Sequence, residues 1–160
     1  MENKDMLAMN RRGFFHSVGS VGVAAAVVGG GVFMGTPRDA SAAVDALIAE
    51  HMGPGAVTMD KVVVDTPDKA ENGAMVRIPV VVNHPMEPNN YIEKVAVFVD
   101  ENPNPFVASF AFIPESGPVD IEFRLKMAKA SNVRVVAKSN SGALYGFTKK
   151  IEVAEGGCSG

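Results

Sequence analysis

From residue 61 onward, apolar and polar positions alternate with a period of two. Val76, Ile78, Val80 and Val82 fall on one side of one segment, Val95, Val97 and Val99 on one side of a second, and Ile121, Phe123 and Leu125 on one side of a third. Side chains point to opposite faces along a strand, so each set marks a face turned inward. Segments of this kind, rich in β-branched and aromatic residues, run over 61–64, 75–82, 91–99, 106–113, 119–127, 132–137 and 145–153. Between them stand turn signals: Thr66-Pro67-Asp68, Asn102-Pro103-Asn104-Pro105, Glu115-Ser116-Gly117-Pro118 and Asn140-Ser141-Gly142. About seven short strands so punctuated predict an all-β, immunoglobulin-like antiparallel β-sandwich. Pro79 removes a ladder donor, which predicts an edge strand or a bulge there. Helical spacing occurs in 44–52, where Val44, Leu47, Ile48 and Met52 recur at three to four residues until Gly53-Pro54-Gly55 stops the pattern. The sandwich is thus expected to carry a short N-terminal helix.

Ahead of that helix the pattern is of a different kind. Asn10-Arg11-Arg12-Gly13-Phe14-Phe15 is a twin-arginine pattern, residues 18–34 are apolar and uncharged, and Ala40-Ser41-Ala42 offers a small-x-small cleavage site. This is the grammar of a signal peptide, with the paired arginines that direct a protein to the route for folded cargo. A retained span wants about 20 strongly apolar residues, whereas this stretch contains Gly19, Gly22, Gly29, Gly30 and Gly31. The expected organisation is therefore a leader over 1–42, an immunoglobulin-like β-sandwich domain over 43–153, and a flexible arm over 154–160. The expected location is the periplasm, without stable membrane association after cleavage.

The chain holds 15 Lys and Arg against 18 Asp and Glu; four of the basic and three of the acidic residues lie in 1–42, which leaves the remainder at a net charge of −4. An acidic domain argues against binding nucleic acid or anionic membranes. The 118 residues that follow the leader suit one domain and need no disulfide to build a core.

Candidate catalytic and metal sites do not assemble from the sequence. His51 and His84 remain after the leader, no Cys-x-x-Cys or His-x-x-x-His is present, and zinc ligand spacing is missing. A blue-copper site needs two His, a Cys and a weak Met, but only Ser159 and Gly160 follow the single cysteine. The expectation is no metal and no cofactor. His84 is expected to end a strand with its ring bonded to nearby backbone. Met52, Met59, Met75, Met86 and Met127 are expected to fill core gaps, and Lys126, Lys129, Lys138, Lys149 and Lys150 to form solvated faces. Asp45, Glu50, Glu115 and Glu152 show no pairing suited to acid/base catalysis.

That leaves Cys158, the one cysteine, set in Gly156-Gly157-Cys158-Ser159-Gly160. A thiol between glycines and a Ser-Gly end is expected to ride on a mobile tether. One cysteine cannot close an internal disulfide, so an oxidising compartment leaves it free, as an adduct, or bridged to another molecule. Its near neighbours, Glu155 and the terminal carboxylate, disfavour the thiolate, and the second cysteine or local base of a redox enzyme is missing. Five extended residues past Ala154 span roughly 16–18 Å, enough to bring the thiol into another protein's active site. Two functions fit: a covalent carrier that is not itself an enzyme, or a non-catalytic adaptor domain whose cysteine only makes intermolecular disulfides.

The chain resembles the SoxY family, the sulfur-carrying subunits of the SoxYZ thiosulfate-oxidation complex. The resemblance is carried by the twin-arginine leader, His84-Pro85-Met86, Asn90-Tyr91-Ile92, Asn102-Pro103-Asn104-Pro105, Ser116-Gly117 and, most specifically, Gly156-Gly157-Cys158. The family tail reads Gly-Gly-Cys-Gly-Gly, and Ser159 departs from it. The resemblance implies that Cys158 is the covalent attachment point for thiosulfate-derived sulfur, with Gly156, Gly157, Ser159 and Gly160 as the flexible arm. It implies a heterodimer with a SoxZ-like subunit and service to three partner enzymes. These are a conjugating c-type cytochrome, a manganese hydrolase that releases sulfate, and a sulfane dehydrogenase or other sulfur acceptor.

Overall fold

In the computed structural model, which describes residues 37–154, α1 (Pro37–Met52) is followed by nine strands. These are β1 (Val57–Thr58), β2 (Val62–Val64), β3 (Lys69–Ala70), β4 (Val76–Val82), β5 (Ile92–Val99), β6 (Phe106–Ala111), β7 (Val119–Leu125), β8 (Ser131–Ser139) and β9 (Leu144–Val153), with one 3-10 turn at Pro114–Ser116. The larger sheet has the order β1-β9-β8-β5-β6, with β3 also on β9, and the smaller has the order β2-β4-β7. The long ladders, β4 with β7, β5 with β6 and β8, and β8 with β9, are antiparallel. This is the expected all-β sandwich. All seven expected strands form; β1 and β3, two residues each, were not foreseen and pair with β9 in parallel.

The alternation along β4 is realised: Val76, Ile78, Val80 and Val82 are buried, and they meet Val62, Val64, Val95, Val97, Val99, Val133, Val135 and Ile151 in the space between the sheets. On β5 the reading was incomplete. Ala96 and Phe98, on the opposite face from Val95 and Val97, are also fully buried. Their cover is α1, which sets Val44, Ile48 and Met52 against Ala96, Phe98, Val136 and Leu144. The larger sheet is therefore sandwiched between the smaller sheet and a helix. Each of these helix side chains is worth about 1.5–3 kcal/mol on burial.

Within the described residues α1 runs from Pro37, ahead of the expected start at Val44. Alanine is the best helix former, so the chain around Ala40, Ala42 and Ala43 carries the helix through the cleavage motif. Gly53, at φ +90°, donates to Ala49 O at 3.0 Å and closes the helix. No helix among the described residues is long and apolar enough to cross a membrane.

A charged cluster ties α1 to the sheet. Arg134 on β8 donates from Nε and Nη2 to the two oxygens of Asp100, each at 2.8 Å, from Nη1 to Asp45 Oδ1 and from Nη2 to Ser41 Oγ, both also at 2.8 Å. Burial pulls the Arg134 guanidinium down, and hydrogen bonds and charge from Asp100 and Asp45 outweigh that pull, holding it above its ordinary value.

Pro79 is a partial correction. It lies in the central strand of the smaller sheet, not at an edge. Asn83 N donates to Lys61 O and Thr66 Oγ1 donates to Arg77 O, so odd-numbered residues of this strand turn their backbone groups toward the β2 side. The β2 ladder ends at Val64 opposite Val80. The missing donor of Pro79 therefore faces a place where β2 has already stopped, a local edge inside a central strand.

Candidate functional site

Cys158 and its neighbours Gly156, Gly157, Ser159 and Gly160 lie outside the described residues. What the structure places is the point from which they depart. β9 pairs with β8 from Leu144 opposite Lys138 to Ile151 opposite Ser131. Beyond Ile151 the strand is held from its other side, where β3 runs parallel to it with Lys69 opposite Glu152 and Ala70 opposite Val153. Glu152 N donates to Asp68 O at 2.8 Å and Ala154 N to Ala70 O at 2.9 Å.

The segment after β3 closes over the same end. Met127 N donates to Gly73 O at 2.8 Å. A Cβ on Gly73 would lie 2.7 Å from Met127 O and 2.8 Å from Val153 Cγ1, so only glycine fits without displacement. Lys149 on β9 reaches Asp68 Oδ1 at 2.9 Å and also donates to Thr66 O, pinning the loop that leads into β3. The departure point is thus built from β9, β3, Gly73 and Met127, with Met127 and Ala70 buried. None of these signals stands out in sequence: β3 is too short for a period, and Gly73 reads as one more turn residue.

The other candidates are placed as follows. His51, in the last turn of α1, stacks on Phe106 with centroids 3.9 Å apart and planes at 5°. His84 has Nδ1 2.8 Å from Pro85 O, the expected bond to neighbouring backbone, and its ring lies 5.6 Å from that of Tyr145. Among the described residues no group of three or more His, Cys, Asp or Glu is placed to hold a metal ion. Met52 and Met127 are core residues and Met86 packs at the core margin, where Ile92 N donates to its Sδ at 3.4 Å. Met59 and Met75 are a correction, since they are 66% and 60% exposed. Met59 lies over Gly146, where the backbone offers no side chain to enclose it. Lys129, Lys138, Lys149 and Lys150 pair with Glu101, Glu93, Asp68 and Glu152.

Comparison with known proteins gives a consistent result. The profile of a family described as "Sulfur oxidation protein SoxY" matches residues 48–158, which spans the sandwich and extends through Cys158. Among solved structures, the sulfur carrier protein SoxY from Chlorobium limicola f thiosulfatophilum superposes with a TM-score of 0.60 at 28% identity, covering 71% of this chain and 98% of that one. A superoxide reductase (neelaredoxin) from Ignicoccus hospitalis superposes with a TM-score of 0.53 at 23% identity, covering 59% of this chain and 81% of that one. At that identity the likeness is one of fold. No curated protein matches.

Proposed function

The chain belongs to the SoxY family, whose role is that of a sulfur carrier in sulfur oxidation, and from that premise we propose that it is a periplasmic carrier that holds thiosulfate-derived sulfur covalently on Cys158. The observation that carries the proposal is the family match running through residue 158 on a chain whose one cysteine is that residue.

In the proposed loading step the Cys158 thiol loses its proton and an S–S bond forms between Sγ and the outer sulfur of thiosulfate. Two electrons leave to an oxidising c-type cytochrome partner. Water then attacks the terminal sulfonate sulfur in a hydrolase; sulfate and two protons depart, and a persulfide anion stays on the cysteine. The sulfane sulfur is next oxidised by a dehydrogenase or passed to an acceptor. The domain itself supplies no catalytic group to these steps. Its part is to keep the adduct attached between stations and to raise its effective concentration at each docked enzyme.

The reading includes export by the twin-arginine route and a stable complex with a SoxZ-like β-protein, which has no need of its own leader if it crosses already bound. Export would remove the turn of α1 that holds Ser41. The buried side chains Val44, Ile48 and Met52, with the Asp45 contact of Arg134, lie on the far side of the cleavage motif and would keep the rest of the helix docked.

The test is intact-mass spectrometry of the chain mixed with thiosulfate and its oxidising partner. A gain in mass is expected on the peptide that contains Cys158 and not in Cys158→Ser. If the Cys158→Ser chain still gains the adduct, the sulfur sits elsewhere. If the unaltered chain forms only disulfide-linked dimers and never a thiosulfate adduct, it is an adaptor and not a carrier.

A further inference from the structure

A tethered carrier reaches as far as its free chain allows, and strand ends are the places where a fold gives up residues most readily. The ladder between β8 and β9 stops at Ile151. If nothing else held the chain, the arm would start there, and Cys158 would be seven steps away, about 23–25 Å when extended. Residues 152–154 are instead bound to a strand that has no other partner among the described residues. Among the described residues β3 pairs only with β9, at the last two residues of that strand. The bonds from Glu152 N to Asp68 O and from Ala154 N to Ala70 O bracket this pair. Val153 is wedged against Gly73 at a spacing that leaves no room for a Cβ, and Asp68 is itself anchored by Lys149.

We propose that β3, Asp68 and Gly73 form a clamp that sets the free length of the arm, so that four steps separate Ala154 from Cys158. The sulfur then reaches no deeper than roughly 13–14 Å from the clamp. The enzymes that use this carrier would hold their reacting atoms within that depth of the surface that meets β3 and Gly73, and near its limit. Asp68, Ala70 and Gly73 are positioning residues in this scheme. The inference rests on the reading that Cys158 carries the sulfur, but the clamp has a readout of its own.

Hydrogen exchange on the unaltered chain comes first: the Glu152 and Ala154 amides are expected to exchange at least about 100-fold more slowly than unprotected amides. Exchange at unprotected rates overturns the clamp. The second measurement is the distance distribution between nitroxides on Cys158 and on a Thr148→Cys site, read by pulsed dipolar spectroscopy. Ala154→Pro deletes the donor to Ala70 O and is expected to broaden the distribution toward that given by inserting three glycines after Glu155. An unchanged width in Ala154→Pro, with the insertion broadening as expected, also overturns it.

The third measurement is adduct formation with thiosulfate and the oxidising partner. Deleting Gly156 shortens the arm by one step and is expected to slow loading by about 100-fold, since misplacement of this order is that costly at a reacting centre. Adding Ala154→Pro is expected to restore loading. Broadening without restoration shows that arm length does not govern delivery and overturns the proposal. If the unaltered chain takes no adduct while exchange and distances behave as expected, the carrier reading falls and the clamp geometry stands.

Discussion

Replacing Arg134 tests what the buried Arg134–Asp100 pair contributes to stability. Its side chain is 13% exposed and that of Asp100 only 4%, whereas Asp45, on the same guanidinium, is 65% exposed. Arg134→Met keeps the bulk of the side chain but leaves a buried carboxylate with Asn132 Nδ2, 3.1 Å from Oδ2, as its remaining side-chain donor. Removing one partner from a buried pair costs about 3–5 kcal/mol, roughly 10–20 °C in Tm for a domain of this size. Asp45→Ala removes a solvated contact worth about 0–1 kcal/mol. The double variant Arg134→Met, Asp100→Leu removes both charges and is expected to recover most of the loss, since an apolar pair of similar volume often equals a buried ion pair. Urea unfolding with tryptophan-free detection, by circular dichroism, gives the midpoints and slopes. Equal losses from Arg134→Met and Asp45→Ala, or a double variant no better than Arg134→Met, would refute the argument that an orphaned Asp100 is what costs the stability.

Two further outcomes follow from other contacts. Gly73→Ala is expected to cost about 1–3 kcal/mol, the range for overpacking, because its Cβ meets the Met127 carbonyl and Val153; a stability within experimental error of the unaltered chain would show that the loop relaxes freely. Glu122 accepts a hydrogen bond from Arg77, which holds its carboxyl below the ordinary glutamate range against the pull of partial desolvation. Its contribution is present above the unfolded pKa and is lost as pH falls through the lower folded value. A carboxyl-detected NMR titration should place its midpoint below that of free glutamate, and Glu122→Gln should flatten the acid limb of the stability curve; a midpoint at or above the free value would contradict the pairing.

Much of the fold was legible because the signals that define it are local. The period-two pattern located β4 and β5, and the apolar spacing of Val44, Ile48 and Met52 located the buried face of α1. What escaped was created by approach across the chain. Ala96 and Phe98 looked like the unburied side of β5, since nothing in their own segment announces that a helix will lie on them. Pro79 was assigned to an edge because a missing donor is a local fact, whereas the place where β2 ends is not. Arg134 and Asp100 are 34 positions apart and carry no motif. For the proposed site, Cys158 stands out in the sequence as the one cysteine. The elements that hold its base were invisible, because a two-residue parallel strand has no period and a glycine chosen for lack of space reads like one chosen for a turn.

The register of β9 bears on what happens when a partner enzyme pulls. For a pull directed along the axis of β9, the eight paired positions from Leu144 to Ile151 lie side by side across that axis. The load is shared among the ladder bonds in shear; it does not peel them one after another, as a pull at right angles would. In the proposed carrier role, with the tail drawn into one enzyme after another and withdrawn each time, that sharing of load keeps repeated extraction from opening the ladder bond by bond.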